Sequence, residues 1–169
     1  MKVRAEFENV AQAFLELLAL RGVDCFFANA GTDFASIVDA FVLRQEQGKA
    51  LPRPLTIPHE NTVVSMAHGY YLVTGKPQIA MVHVGVGTAN GLGSIMAASR
   101  SNVPILFSAG RTPFTEDGPF TSRVGHIHWT QECFDQGGLV REFVKWDYEL
   151  KSPAQLEAVV DRALVMSMT

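Results

Sequence analysis

The sequence predicts an α/β fold, with a doubly wound parallel sheet flanked by helices. Three observations predict it. Segments of helical periodicity alternate with short apolar runs, the run at 23–28 is apolar throughout, and glycines separate many of the segments. Strands that alternate with helices favour a parallel sheet covered on both faces. The 169 residues fit one domain, which we assign to 1–169.

The first half of the chain supplies two helices and two strands. Apolar residues recur at helical spacing over 7–20, and Gly22 is a plausible end for this first helix. The run VDCFFA at 23–28 predicts a strand buried on both faces. Helical periodicity returns over 34–46, and LTI at 55–57 predicts a short second strand.

The second half continues the alternation. A third helix is predicted over 60–73, with Gly75 after it, and a helix of small residues over 90–100. Further strands are predicted at 78–84 and 104–109, with REFVKW at 141–146 as a weaker candidate. A last helix is predicted over 153–167, where Ser152 would cap its first turn.

The composition indicates which kinds of partner the protein is expected to bind. Hydrophobic residues make up 47% and charged residues 18%, below the roughly 25% usual for soluble domains. Part of the surface is therefore expected to be covered in an oligomer. The net charge is -3 without a basic run, and this excludes nucleic acid and an anionic membrane as expected partners.

The N-terminal sequence and the cysteines indicate in which cellular compartment the protein is expected. The N-terminal sequence MKVRAEFENVAQ has no apolar signal core, and no run reaches the ~18 apolar residues of a membrane span. Cys25 and Cys133 lack CxxC spacing, which fits a reduced compartment. We expect a cytoplasmic protein.

The glycine-rich stretch HVGVGTANG at 83–91 leaves two interpretations open. Gly85 and Gly87 could let the backbone approach a ligand, or could simply allow close packing of a helix on a strand. A dinucleotide site is disfavoured, because it needs an acid at the end of the next strand, and LFSAG at 106–110 has none.

No metal site is expected from the histidines. His59 and Glu60 begin like HExxH, but Val63 stands where the second histidine belongs. His126 and His128 lack a third ligand at usual spacing, so a solvated or interface pair is the better interpretation.

Glu60 opens the third helix, where the helix dipole stabilises a carboxylate without any function. A functional role is favoured by its expected neighbours. Glu60, His83 and Thr32 all follow predicted strands and so should meet at one edge of the sheet, together with the glycine-rich stretch. An acid, an imidazole and a hydroxyl would then face one site.

Residues 58–110 carry a family resemblance. They combine a carboxylate that opens a helix, AHGY, TGKP, a glycine-rich stretch with Asn90, and PIL before a glycine. This segment resembles the pyrimidine-binding domain of thiamine-diphosphate enzymes of the acetolactate synthase and 2-oxo acid decarboxylase group. A weaker resemblance extends to GVDCFFANAGTDF at 22–34 and TQECFDQ at 130–136.

The resemblance implies roles for several residues. Glu60 would bond to the pyrimidine nitrogen opposite the amino group and so promote the imino form that removes the thiazolium C2 proton. Gly85, Gly87 and Asn90 would also contact this cofactor. His83 resembles a histidine of benzoylformate decarboxylase and would relay protons after decarboxylation. The alternative is a strand-end histidine bonded to the backbone.

The resemblance also bears on substrate binding. Thr32 lies where benzoylformate decarboxylase has a serine that contacts substrate. Its hydroxyl could bind the substrate carboxylate or cap the helix that begins near Phe34. Asp33 could also cap this helix, and it differs from the neutral residue expected at the matching place, which leaves the substrate open.

The family binds diphosphate and Mg²⁺ through a second α/β domain that begins with Gly-Asp-Gly, a tripeptide absent from this sequence. We therefore expect an N-terminal fragment of a longer enzyme, inactive alone, in which a second copy of the protein completes the site. The expected substrate is a small 2-oxo acid, in a decarboxylase or carboligase. The alternatives are an acetolactate synthase-like carboligase and a non-catalytic regulatory domain.

Overall fold

The computed structural model describes residues 7–118 and 122–169. Its strands are β1 (Cys25–Asn29), β2 (Arg53–Thr56), β3 (Gln78–Val82) and β4 (Ile105–Ala109). Its helices are α1 (Val10–Leu20), α2 (Ala35–Glu46), α3 (Glu60–Thr74), α4 (Val84–Asn90), α5 (Leu92–Arg100), α6 (Ile127–Thr130) and α7 (Leu156–Met168). Short 3₁₀ turns lie at Thr32–Phe34, Gly137–Leu139 and Pro153–Gln155.

The four strands form one parallel sheet in the order β2-β1-β3-β4. Phe27 in β1 lies beside Leu55 in β2 and Ala80 in β3. The chain leaves β1 toward one edge of the sheet and leaves β3 toward the other. This reversal opens a crevice at the carboxyl ends of β1 and β3, where ligands of open α/β sheets bind. The predicted doubly wound parallel fold is confirmed.

Alternate side chains of the strands build a core on each face of the sheet. Phe26 and Ile79 belong to one cluster, together with apolar side chains of α1, α2 and α7. Phe27 and Ala80 belong to the other, together with α3 and α5. β1 and β3 are buried on both faces, which explains their uninterrupted apolar sequences.

The helix ends follow local chemistry. Asn9 caps α1 by accepting a hydrogen bond from the Gln12 amide, so this helix begins three residues later than predicted. Gly75 ends α3 with a φ of 70°, a left-handed conformation that glycine adopts without strain. The predicted third helix is confirmed.

The first and last helices are joined directly. Arg21, just after α1, forms two hydrogen bonds with Asp161 in α7, of 2.6 and 2.8 Å. These bonds lower the pKa of Asp161 and raise that of Arg21. The two helices share one apolar cluster, in which Leu15, Leu18 and Leu164 are buried. The two ends of the described fold therefore stabilise one another.

The region after β3 differs from prediction. The strand predicted over 78–84 ends at Val82, and the glycine-rich stretch forms α4 rather than a turn. The helix predicted over 90–100 is α5, a separate helix from Leu92. Close packing explains the difference, because a Cβ at Gly87 would come within 3.0 Å of the Val82 Cβ. A short helix of small residues fits directly against the strand end.

The strand proposed at 141–146 is wrong. This segment forms turns, and Arg141 holds them by bonding to Asp135 and Asp147 on either side. Val140 and Phe143 still pack against the core, which explains the apolar pattern. The predicted Ser152 cap is also wrong, because no side chain caps the 3₁₀ turn that precedes α7.

No helix in the described parts of the chain combines the length and apolar character needed to cross a bilayer. The prediction that the chain lacks a signal core rested partly on residues 1–6, which lie outside the described residues.

Candidate functional site

The carboxyl edge of the sheet gathers the predicted site residues from separate loops. Thr32 and Asp33 follow β1, Glu60 begins α3 after β2, and His83 follows β3 directly. Asn29, the last residue of β1, donates a hydrogen bond of 2.8 Å to the Ile57 carbonyl and joins the first two loops. The site therefore lies at the point where the strand order reverses.

Glu60 is a buried carboxylate, only 9% exposed. Asn90 Nδ2 donates a hydrogen bond of 3.3 Å to Glu60 Oε2, which unites two of the predicted residues. Within the part of the chain that the structure describes, Glu60 Oε1 has no hydrogen-bond partner. Val63 and Val64 are fully buried nearby in α3, whereas Met66 in the same helix is 40% exposed. One oxygen of a shielded acid is thus left for a ligand.

His83 is bonded through both ring nitrogens. Its Nδ1 lies 2.6 Å from Asp33 Oδ1, and its Nε2 lies 2.9 Å from Gln131 Nε2. The imidazole is therefore bonded to side chains, not to the backbone as in the alternative interpretation. Asp33 is engaged here and does not cap a helix as proposed. Sequence reasoning missed both partners, because 50 and 48 residues separate them from His83.

The backbone beside His83 is strained. Val84 has a φ of 36°, in the left-handed region that β-branched residues rarely adopt. Its amide nitrogen lies 3.4 Å from Asp33 Oδ2, the second oxygen of the same carboxylate. Strained backbone of this kind is concentrated at functional sites.

Thr32 is exposed at the start of the 3₁₀ turn, and no side chain caps that turn or α2. The capping alternative for Thr32 is therefore wrong. Its hydroxyl remains open to solvent on the same edge of the sheet as His83.

Gly85 and Gly87 lie inside α4, and both are buried. A Cβ at Gly85 would lie 2.1 Å from the Cys133 sulfur. As with Gly87 and Val82, the absent side chain leaves room for a neighbour in the protein. These contacts support the packing interpretation for both glycines.

An ionic cluster anchors the segment that carries Gln131. Glu132 accepts hydrogen bonds from Thr112, at 2.7 Å, and from Arg111 and Arg123. The Thr112 bond, helped by the two guanidinium groups, lowers the pKa of Glu132. Arg111 also donates to the Cys133 carbonyl at 2.8 Å. Residues 131–133 are thereby fixed over the end of β3.

A large groove lies elsewhere. It has a volume of about 1000 Å³ and runs between β4, α7 and the segment 140–151. Asp33 reaches one end of it, but Glu60 and His83 do not line it. The polar groups converge at the sheet edge instead, and we place the candidate site there. Across 7–118 and 122–169, no group of three or more His, Cys, Asp or Glu side chains is arranged to hold a metal.

Comparison with known proteins extends this description. Residues 8–139 match the family model "Thiamine pyrophosphate enzyme, N-terminal TPP binding domain". Benzoylformate decarboxylase of Pseudomonas aeruginosa is 28% identical over 142 residues, which is 84% of this chain and 24% of that protein. The mitochondrial acetolactate synthase catalytic subunit of Saccharomyces cerevisiae is 28% identical over 152 residues, or 90% of this chain and 20% of that protein.

A solved structure agrees. The thiamine diphosphate-dependent 4-hydroxybenzoylformate decarboxylase of Rhodococcus jostii RHA1 superposes with a TM-score of 0.74 at 25% identity. The match covers 92% of this chain and 27% of that one. The chain thus spans about a quarter of the length of the proteins that it resembles.

Proposed function

Because this chain belongs to the family of N-terminal TPP-binding domains of thiamine pyrophosphate enzymes, we propose that it supplies the pyrimidine side of a thiamine-diphosphate site. The complete enzyme would act on a small 2-oxo acid. We propose decarboxylation to an aldehyde as the reaction, with an acetolactate synthase-like carboligase as the alternative. A non-catalytic regulatory domain is the remaining alternative, disfavoured by the presence of both Glu60 and His83.

Glu60 carries the proposal. A buried carboxylate with one oxygen left unpartnered by the described residues fits a ring nitrogen that shares a proton with it. Asn90 orients the other oxygen. Cys133 and Val82 fill the space beside Gly85 and Gly87, so any contact of these two glycines with the cofactor would be made by their backbone atoms alone.

When bound, thiamine diphosphate supplies the carbanion chemistry that cleaves a 2-oxo acid. This chain would supply the proton chemistry. Glu60 holds a proton at the pyrimidine, and His83 would take up and return a proton after carbon dioxide leaves. Thr32, exposed at the same edge, would donate its hydroxyl to the substrate carboxylate.

Magnesium, diphosphate and the second half of the site are assigned to other parts of the assembly. We propose that another α/β domain, in the same or another subunit, holds Mg²⁺ and diphosphate, and that a second copy of the protein completes the site. Exposed apolar side chains on α3 and α5 support such a contact: Met66, Leu72, Val73 and Met96.

We also propose that the protein is cytoplasmic. The two unpaired cysteines support this location, because free thiols are usual in reducing compartments.

Replacing His83 tests the assignment as a decarboxylase. The natural full-length polypeptide and its His83→Ala variant would be assayed on aliphatic and aromatic 2-oxo acids, with aldehyde and 2-hydroxy ketone measured separately. Loss of a proton-transfer group should slow aldehyde formation by on the order of 10²–10⁴. Cofactor activation, which we assign to Glu60, should change much less.

His126→Ala is the matched control, because this histidine is exposed and its imidazole bonds to none of the described residues. It should behave as wild type. If ketone is the main product and His83→Ala matches wild type, the enzyme is a carboligase and His83 has only a structural role.

A further inference from the structure

Asp33 and His83 form a pair across the crevice of the sheet. Asp33 follows β1 and His83 follows β3, and these neighbouring strands lie where the strand order reverses. The contact of 2.6 Å is short for a hydrogen bond between a ring nitrogen and a carboxylate, as expected for a charge-assisted bond. Both side chains are largely buried, with 16% of His83 and 10% of Asp33 exposed.

Two glycines make room for the pair. A Cβ at Gly31 would lie 2.3 Å from the His83 ring, and a Cβ at Gly110 would lie 1.7 Å from Asp33 Oδ2. The φ of Gly31 is -138°, which any residue can adopt, so space rather than conformation requires glycine there. The pair therefore occupies a cradle built from the ends of three strands.

The chemistry of Asp33 fixes the tautomer of His83. An ionised carboxylate only accepts hydrogen bonds, so Nδ1 must carry the proton in this contact. In the neutral imidazole Nε2 is then an acceptor, and the Gln131 amide nitrogen, at 2.9 Å, is the matching donor. Each assignment agrees with the other.

Only a carboxylate satisfies both groups that face Asp33. Its Oδ1 faces His83 Nδ1, and its Oδ2 faces the Val84 amide at 3.4 Å. An asparagine has one acceptor oxygen and would turn its amino group toward one of these two donors. With asparagine at this position, either the tautomer of His83 or the contact with the strained Val84 would therefore be lost.

We propose that Asp33 is a positioning residue that holds His83 with its proton on Nδ1, so that Nε2 is the atom that exchanges protons. This inference rests on the role of His83 in the proposed function. When Nε2 accepts a proton, the resulting imidazolium stays paired with Asp33. Gln131 must move aside while Nε2 accepts the proton, because its amide occupies the lone pair of that nitrogen. Its carbonyl oxygen can then accept a hydrogen bond from Nε2–H until His83 returns the proton.

Gln131 is well placed for this role. Glu132 and Cys133, the next two residues, are fixed by the ionic cluster and by contact with Gly85. The backbone at Gln131 is therefore held, while its amide can rotate between two orientations. Gln131 leaves Nε2 during proton transfer and bonds to it through its amino group in one protonation state of His83 and through its carbonyl oxygen in the other.

The tautomer can be measured in the 169-residue chain itself, without catalysis. Long-range proton–nitrogen NMR spectra of ¹⁵N-histidine-labelled protein, recorded where His83 is neutral, distinguish a protonated from an unprotonated ring nitrogen. We expect a protonated Nδ1 in wild type. Asp33→Asn should move the proton wholly or partly to Nε2, whereas the control Asp39→Asn, on the exposed face of α2, should leave it in place.

The kinetic test uses the natural full-length polypeptide. Asp33→Asn should slow aldehyde formation by on the order of 10²-fold, while proton exchange at the cofactor C2 stays within about twofold of wild type. A purely structural role would affect both rates together.

The two proposals fail differently. A wild-type His83 protonated at Nε2 overturns the positioning role whatever the activity, and so does an Asp33→Asn variant with unchanged tautomer and rates. A full-length protein that forms no aldehyde overturns the proposed function, while the wild-type tautomer still decides whether Asp33 positions His83. That wild-type measurement stands even if the variant does not fold.

Discussion

Glu60 lies where burying an ionised carboxylate costs free energy, unless a bound ligand forms hydrogen bonds with it. It is 9% exposed, and its one hydrogen bond from a described side chain comes from a neutral amide. The positive end of α3 offsets part of the cost of burial, because Glu60 is the first residue of that helix. A neutral glutamine would fit the same space but could not share a proton with a ring nitrogen.

Glu60→Gln should therefore retain the fold but slow the proton transfer that activates the cofactor. In the full-length polypeptide we expect proton–deuterium exchange at the cofactor C2 to slow by on the order of 10²–10⁴, the range for a lost acid–base group. Quenched-flow NMR of the bound cofactor measures this step. The control is Glu46→Gln, at the exposed end of α2, which should exchange like wild type. Wild-type exchange in Glu60→Gln would remove Glu60 from the mechanism.

The residues that sequence reasoning found and missed differ in a simple way. Glu60 could be proposed because its position at the start of a helix and its motif are both local in the chain. The link between Asp33 and His83 could not, since it depends on β1 and β3 being neighbours in the sheet. The residue type of Asp33 suggested only a cap, and the weak resemblance of TQECFDQ at 130–136 did not indicate a contact between Gln131 and His83.

At the scale of the element, two glycines of α3 and its C-terminal end test how backbone conformation affects stability. Gly75 ends it in the left-handed region, whereas Gly69 lies within it on an exposed face with open space beside its Cα. Gly75→Ala should destabilise the chain by roughly 1–2 kcal/mol. Gly69→Ala should stabilise it by roughly 0.5–1 kcal/mol, because alanine loses less backbone entropy in a helix.

Urea denaturation of the 169-residue chain gives both free energies of unfolding. The two substitutions add the same methyl group, one within α3 and one at its C-terminal cap, so opposite signs would report the difference in backbone conformation. If both substitutions changed the free energy of unfolding equally, the positive φ of Gly75 would not be what requires glycine at that position.

Most elements could be predicted because their signals are local. The buried strands have uninterrupted apolar sequences, and glycines or caps mark the ends of α1 and α3. α4 could not be found this way, because its glycines suggest a turn, whereas in the structure Gly87 lets a helix pack closely against Val82. At 141–146, Phe143 and Val144 are half-buried and pack against the core, but ionic contacts of Arg141 hold the backbone in turns.

At the scale of the whole molecule, the 169-residue chain should bind thiamine diphosphate weakly or not at all. The side chains that we assign to the cofactor, Glu60 and Asn90, would contact only its pyrimidine. The diphosphate carries most of the charge, and we propose that another domain holds it through Mg²⁺. Isothermal titration calorimetry with and without Mg²⁺ measures the affinity. A micromolar dissociation constant that depends on Mg²⁺ would show that this chain contains a diphosphate site.

The joining of α1 to α7 has a consequence for synthesis on the ribosome. Leu15, Leu18 and Phe26 are made early, yet the helix that completes their cluster ends at Met168. At 5–20 residues per second, roughly 7–28 s pass between the end of β1 at Asn29 and the end of α7. During that interval the side chains of this cluster lack the cover that α7 gives them in the folded chain.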